Sequence, residues 1–366
     1  MKYFFINTFC SKGSTGRIVC ETARNLIKQG NDCVIAYARD SVIPADIETY
    51  KIGNKVDIAF HGVMTRLFDK HGFCSKKATK KLINVIRDYN PDVIWLHNLH
   101  GYYLNVEILF SFIKEMNYKV KWTLHDCWSF TGHCPHFSFV NCEKWKDKCD
   151  HCPQLHRYPR TIGWSNTKDN FHRKKTAFTG VKEMELIVPS HWLENLVKKS
   201  YLKEYKVTVA HNTVDKKIFH YVESNIRAKY SLSNKIIILG VAMDWTEYKG
   251  LSEYYYIADK LDDRYCVVLI GLDEKQIAQV PNNVLGLPRT RNIEELAEWY
   301  STADVLVSAS REETFGMTIL EAYNCGTTSI VYKDTACEEV VQLCGCGVVV
   351  DWGPEHICDE IVTMNL

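Results

Sequence analysis

No apolar run in this 366-residue sequence approaches the roughly 18 to 20 residues that a membrane-spanning helix needs. The opening Met1-Lys2-Tyr3-Phe4-Phe5-Ile6-Asn7 is too short for a signal peptide and reads as a first strand. An excess of charge is also missing: 45 basic against 44 acidic residues leave a net charge of +1, so nothing global calls for nucleic acid as a partner. Absent too are a G-x-G-x-x-G fingerprint, an Asp-x-Asp pair and a Gly/Ser-rich linker. The first absence places an NAD-dependent oxidoreductase last among the enzyme classes. The second agrees with chemistry that needs no catalytic divalent metal. Cysteine, by contrast, is plentiful, with fifteen residues. They form no small-domain disulfide framework, and Cys33 and Cys266 sit in apolar surroundings, as reduced core thiols of a cytoplasmic protein do.

The length exceeds what one core usually supports, so two domains are expected, residues 1–212 and 213–366. Strand and helix patterns alternate in both. In the first, Lys2–Asn7 reads as a strand, Thr8–Gly16 as a glycine loop and Arg17–Gln29 as a helix. Strands follow at Cys33–Ala38, Asp92–His97, Val120–His125 and Met184–Ser190. In the second, strands are expected at Ile236–Val241, Cys266–Ile270, Val284–Leu287, Val305–Ser308, Ser329–Tyr332 and Val348–Val350. Such alternation predicts an α/β fold with two Rossmann-like, doubly wound parallel sheets, whose ligands approach the C-terminal ends of the strands. Gly16 is placed by this pattern where a phosphate or sugar can approach the backbone.

The sequence converges on Ala309–Thr327. A buried strand leads into a turn at Phe315-Gly316, followed by a helix over Met317–Asn324 and Gly326 at its end. The N–H groups of Phe315, Gly316, Met317 and Thr318 then point at one spot, which suits a phosphate. Glu313 and Glu321 bracket the turn, and carboxylates are good acceptors for sugar and ribose hydroxyls. Thr318-Ile-Leu-Glu321 also fits a capping box, in which Glu321 merely satisfies a backbone donor. Lys249-Gly250, after the strand Ile236–Val241, can reach a diphosphate as a point charge.

Glu313-x-Phe315-Gly316, then Glu321-Ala322 and Gly326, resembles the paired-glutamate signature of retaining glycosyltransferases of family 4. His125-Asp126 resembles the His-Asp that closes a strand near the donor sugar in that family. His211-Asn-Thr-Val-Asp215 is similar to its Asn-Gly-Val-Asp crossing, with Thr213 in place of Gly. The resemblance implies the GT-B arrangement, two Rossmann-like domains facing each other across a cleft. It implies a UDP- or GDP-sugar donor held mainly by the second domain, and a glycan or lipid-linked acceptor met by the first. Glu313 and His125 then act at the sugar, Glu321 at the ribose and Lys249 at the diphosphate. The family's second cation is missing, since Ala242, Met243 and Asp244 stand where an Arg is usual; Arg17, Arg289 and Arg291 are candidates to replace it. A nucleotide-sugar epimerase of the same architecture is the main alternative. The short C-terminal pattern, His356–Met364, is only the start of the terminal helix usual in this fold.

One segment stands apart. Cys134-x7-Cys142-x6-Cys149-x2-Cys152, with His133, His136 and His151 interspersed, ends in metal-chelate spacing and suggests a structural zinc held by four thiolates. Disulfides and plain packing are the alternatives, and a zinc-stabilised interaction module is a further functional reading. The stretch Leu124–Cys134 through Cys152-Pro-Gln resembles a family 4 subgroup that builds capsular polysaccharides and exopolysaccharides. Finally, Lys198, Lys199, Lys203 and Lys206 are interleaved with Trp192, Tyr201 and Tyr205, a patch suited to peripheral contact with anionic lipid.

Overall fold

Phe4, Phe5 and Ile6 of strand β1 (Lys2–Asn7) are fully buried, as in a strand covered by helices on both faces. The computed structural model describes residues 1–364 and comprises two units, Met1–Ala210 and His211–Leu366. Among the described residues, the first unit carries β1, β2 (Asp32–Tyr37), β3 (Glu48–Lys51), β4 (Val93–Leu96), β5 (Lys119–Thr123), β6 (Met184–Val188) and β7 (Lys206–Val209). These form one parallel sheet in the order β3-β2-β1-β4-β5-β6-β7. The second unit carries β8 (Ile236–Val241), β9 (Tyr265–Ile270), β10 (Val284–Leu287), β11 (Val305–Ser308), β12 (Thr328–Tyr332) and β13 (Gly347–Val350). Its sheet is also parallel, in the order β10-β9-β8-β11-β12-β13. Each unit is therefore a Rossmann-like α/β layer structure.

In both sheets the chain starts centrally, winds to one edge, then returns to wind toward the other. Strand order therefore reverses between β1 and β4, and again between β8 and β11. Loops at such a reversal diverge to opposite faces and leave a crevice at the strand ends. The segments after β1, β4, β8 and β11 are thus the ones the topology presents to a ligand.

Three details depart from the sequence reading. The first helix spans Gly13–Lys28, so Gly16 lies within its first turn instead of in the preceding loop. A side chain at Gly16 would meet the backbone of Ser11 at 3.1 Å, so this glycine serves close packing of loop on helix. The edge strand β3 was not expected, because Glu48-Thr-Tyr-Lys51 is half exposed and has no apolar run. The C-terminal helix, Pro354–Thr363, buries Ile357 and Ile361 in the same core as Ile257 and belongs to the second unit's own packing.

Candidate active site

In the second unit, the loop after β8 ends at Lys249-Gly250 and the loop after β11 contains Glu313. Gly250 has φ +74°, and a Cβ there would lie 2.4 Å from the carbonyl oxygen of Ala309. The Arg311 N–H donates to the Tyr248 carbonyl at 2.8 Å, tying the two loops together. This closeness sets the Lys249 ammonium against the Glu313 carboxylate, in a direct ion pair that is about one fifth exposed. Burial presses Lys249 toward neutrality, but Glu313 and Tyr248 outweigh it and raise its pKa above the ordinary lysine value. The charge is retained where an anion can reach it.

Gly316 opens the helix Met317–Asn324 with φ +99°, and a side chain there would press on Ile319 and the Cys337 thiol at 3.0 and 3.1 Å. Gly316 is the N-cap, with no side-chain cap. The capping box that Thr318 and Glu321 allowed is therefore not formed. Glu321 is buried and accepts a hydrogen bond from the Tyr300 hydroxyl at 2.9 Å. A carboxylate inside a helix, held by a tyrosine from its neighbour Ile293–Thr302, is positioned for something other than helix capping. Arg311 donates to Glu253 at 3.0 and 3.1 Å, and Tyr332 also donates to Glu253. Those three side chains brace the loop beneath Glu313.

In the first unit, His97 and His125 lie at the ends of β4 and β5, stacked at 5.2 Å, with Nδ1 of His97 2.9 Å from Nε2 of His125. Burial lowers the His125 pKa to about 4, so the ring is neutral near pH 7. Asp126 turns instead to His100, Oδ2 to Nε2 2.7 Å, and accepts from the Trp128 N–H at 2.8 Å. Burial opposes its charge, yet His100 prevails and holds the Asp126 pKa down at about 2. His100 in turn meets the Tyr158 hydroxyl at 3.0 Å. The neighbours His125 and Asp126 thus serve two separate pairs.

Residues 233–364 match the family described as glycosyl transferases group 1. A protein of Escherichia coli (strain K12) that carries the name colanic acid biosynthesis glycosyl transferase WcaC is 26% identical over 290 residues, 76% of this chain and 69% of that protein. This chain is a glycosyltransferase of the GT-B type.

Solved structures agree on the fold. The glycosyltransferase superposes on sucrose-phosphate synthase from Thermosynechococcus elongatus with a TM-score of 0.69 and 15% identity, covering 99% of this chain and 89% of that one. HepE from Anabaena, solved in complex with UDP, gives a TM-score of 0.67 with 14% identity over 99% and 89% of the two chains.

Within the glycosyltransferase, Lys249, Glu313, Phe315, Gly316, Met317, Thr318 and Glu321 all fall on the two loops and the helix at the β8/β11 reversal. His125 and Gly16 lie in the first unit. Of the arginines considered as a second cation, Arg291 is taken up by Glu295 at 3.2 Å on the surface. Sequence reasoning did not find Tyr300, Arg311 or the links that join Asp126 to His100 and Tyr158. A buried tyrosine on the helix facing Glu321 is the one signal that points to such a partner.

The four cysteines of the unusual segment, Cys134, Cys142, Cys149 and Cys152, line one small cavity together with His133, Phe137 and Trp145. Hydrogen bonding from Cys134 lowers the Cys152 thiol to about 6. All fifteen cysteines are free thiols. The basic-aromatic patch over 192–206 requires correction. Trp192, Tyr201 and Tyr205 pack against the first unit's core, and the two tyrosine hydroxyls donate to the carbonyls of Ser129 and Phe178. Lys198 and Lys206 pair with Glu194 and Glu185. A helix with an apolar inner stripe spends its aromatics on the core, so only a solvated lysine rim remains outside.

Proposed function

We propose that this glycosyltransferase transfers a hexose from a UDP-linked donor to a glycan or lipid-linked glycan acceptor, with retention at the anomeric carbon, in the synthesis of a surface polysaccharide. The observation that carries it is the meeting of Lys249 and Glu313 at the β8/β11 reversal, beside the Gly316 turn. HepE has been solved with UDP and with UDP-glucose, which supports the donor class. The name of WcaC supports the polysaccharide, and the resemblance to family 4 supports retention. The second unit holds the donor and the first meets the acceptor. Glu321, steadied by Tyr300, accepts from the ribose hydroxyls. The diphosphate replaces Glu313 as the counter-ion of Lys249, and Glu313 is released to orient the hexose. Charge growing on the leaving diphosphate is stabilised by Lys249 and by the N–H groups of Phe315–Thr318. The resemblance to family 4 assigns His125, neutral near pH 7, a hydrogen bond to the sugar.

The test is nucleoside-diphosphate release from a panel of UDP-, GDP- and dTDP-sugars, with and without EDTA. Release from a UDP-sugar should survive EDTA and fall about 10- to 100-fold in Glu321→Ala, as expected when a hydrogen bond to a charged group is lost. An epimerised sugar without any transfer would favour an epimerase instead, and release abolished by EDTA would sink the metal-independent reading.

For the acceptor side, we infer peripheral docking on anionic lipid at the cytoplasmic face of a membrane, through a surface other than the 192–206 patch. No helix of the described residues is long and apolar enough to cross a membrane. The helix Lys55–Phe68 turns Val56, Phe60, Val63 and Leu67 outward, from 42% to 75% exposed, on a single stripe. Beside its C-terminal turn, Ile162 and Gly163 donate to the Arg66 carbonyl and Trp164 to that of Leu67. Trp164, 73% exposed, stacks on Phe68 with ring planes 3° apart. The stripe adjoins a groove of about 430 Å3 lined by Phe60, Met64, Lys70, Lys76, Lys77 and Arg173, with Asp57 the lone acid. Apolar wedge and cationic rim together match an anionic bilayer.

Flotation with vesicles should show binding when phosphatidylglycerol is present and little with phosphatidylcholine alone. Phe60→Glu and Trp164→Glu should each weaken it about tenfold or more, given the ~1.5–3 kcal/mol of one buried apolar side chain. Equal flotation of both variants and the wild type would sink this docking face, as would a wild type that forms a dimer through it and ignores vesicles.

A further inference from the structure

The thiol cavity in the first unit holds one atom that packing does not explain. His133 is fully buried, with side-chain exposure of 0%. Its Nδ1 lies 2.6 Å from Oδ1 of Asp69, a residue far away in sequence at the C-terminal end of the helix Lys55–Phe68. Asp69 is itself fixed, because Oδ2 accepts from the Asn166 N–H and the Thr167 hydroxyl, both at 3.1 Å. The carboxylate therefore accepts a hydrogen bond from Nδ1–H, and Nε2 is the ring's remaining polar atom. That Nε2 is buried and has no hydrogen-bond partner. An unsatisfied buried polar atom costs about 1–3 kcal/mol and calls for an occupant. The ring borders the same cavity as Cys134, Cys142, Cys149 and Cys152.

A carboxylate bonded to one imidazole nitrogen, with the other nitrogen facing soft ligands, is how proteins orient a histidine toward a metal. We propose that this loop is a structural zinc site whose ligands are Nε2 of His133 and the thiolates of Cys142, Cys149 and Cys152, with Asp69 orienting the histidine. This changes the four-thiolate set suggested by spacing alone. Cys134 lines the same cavity and is assigned the part of a supporting thiol. On binding, Zn2+ displaces three thiol protons to solvent and accepts one lone pair from each sulfur and one from the imidazole. The product carries one net negative charge. Lys174, buried with Nζ 2.7 Å from the Trp128 carbonyl oxygen, is pressed toward neutrality by burial but drawn back toward its charged form by Cys149 and Cys134.

Zinc binding on these ligands requires the loop to tighten. Among the described residues no three of these ligand atoms lie mutually within 4.8 Å. The segment that carries them has only three-residue 3-10 turns, at Trp128–Phe130, Ser138–Val140 and Lys144–Lys146. Metal would draw these turns together around Trp145 and Phe137, giving a cysteine-rich loop the rigidity that regular secondary structure does not supply.

The experiment uses the full chain, purified with a reductant and dialysed against a weak chelator. Elemental analysis should find about one zinc per chain, and zinc K-edge absorption fine structure about three sulfurs at ~2.3 Å with one nitrogen at ~2.0 Å. Cys142→Ser should lower zinc content about tenfold or more, while Cys134→Ser should keep it. If Cys142→Ser does not fold, the wild-type absorption spectrum still decides. A shell of four sulfurs would overturn the ligand set. A folded chain with no zinc and freely titrating thiols would overturn the site, as would a disulfide mapped among the four. None of these readouts depends on sugar transfer, so the outcome is separate from the proposed activity.

Discussion

Lys249→Ala is expected to slow sugar transfer about 10²–10³-fold at saturating donor, the usual loss when one preorganised charge is removed from a developing anion. The ammonium is held at the β8/β11 reversal by the αL turn of Gly250. It is ion-paired with Glu313, and its pKa stays high despite burial. A partly exposed ion pair contributes at most about 1 kcal/mol to folding, so the melting temperature of the variant should move by only a few degrees. That contrast separates two roles. If Lys249 merely steadies Glu313, then Lys249→Ala and Glu313→Ala would lose the same stability and little rate. If it receives the diphosphate, the rate collapses while stability hardly changes, and nucleotide-induced thermal stabilisation disappears with it. An active Lys249→Ala variant would remove the main support for the donor site.

Mild acid should destabilise the first unit steeply. Four of its histidines are kept neutral in the folded state, and for each burial is the leading cause. His61 and His125 are pushed down to about 4, and His71 and His97 lie well below the ordinary histidine value. Geometry agrees. The Gly72 N–H donates to Nε2 of His61 at 3.1 Å and the Gly101 N–H to Nε2 of His71 at 3.2 Å, so a proton on either nitrogen would set two donors against each other. An unfolded histidine titrates near 6.5. As pH falls below that value the unfolded chain takes up protons that the folded chain refuses, and stability is lost until the folded pKa values are reached, about 4 for His61 and His125. Four groups acting together set an upper slope of about 5 kcal/mol per pH unit. Urea unfolding monitored at a first-unit tryptophan, at about pH 7, 6 and 5, should show the midpoint dropping at each step, with His61→Gln flattening the decline. A midpoint constant over that range would mean that these rings accept protons without unfolding.

The strands were legible because a parallel strand buried on both faces is a continuous apolar run. β1, β8 and β11 begin and end where those runs do. β3 was not, since an edge strand with one covered face needs no such run. The start of the first helix was misjudged because glycines were read as loop, whereas Gly13 and Gly16 sit in its first turn, Gly16 so that Ser11 can approach. At the candidate site, spacing found the residues that share one loop or one helix turn, namely Glu313, Gly316 and Glu321. It missed what only folding brings together. Tyr300 reaches Glu321 from the helix before β11, Asp126 turns away from His125 toward His100, and Asp69 reaches His133 across the first unit. Local sequence encodes the turn that aims a side chain, while its partner is chosen by the sheet order.

The contact between Gly250 and Ala309 bears on how this enzyme can be re-engineered. With 2.4 Å between a would-be Cβ and the Ala309 oxygen, and with Arg311 bonded to Tyr248, the segments after β8 and β11 are interlocked at the backbone. Neither can be exchanged for a homologous segment of different shape without displacing the other. On the proposed assignment of the donor site, its preference belongs to two distant stretches of sequence that must be transplanted as one cassette, residues 242–250 together with 309–316. A chimera carrying only one of them inherits a misfit hinge in place of a new specificity.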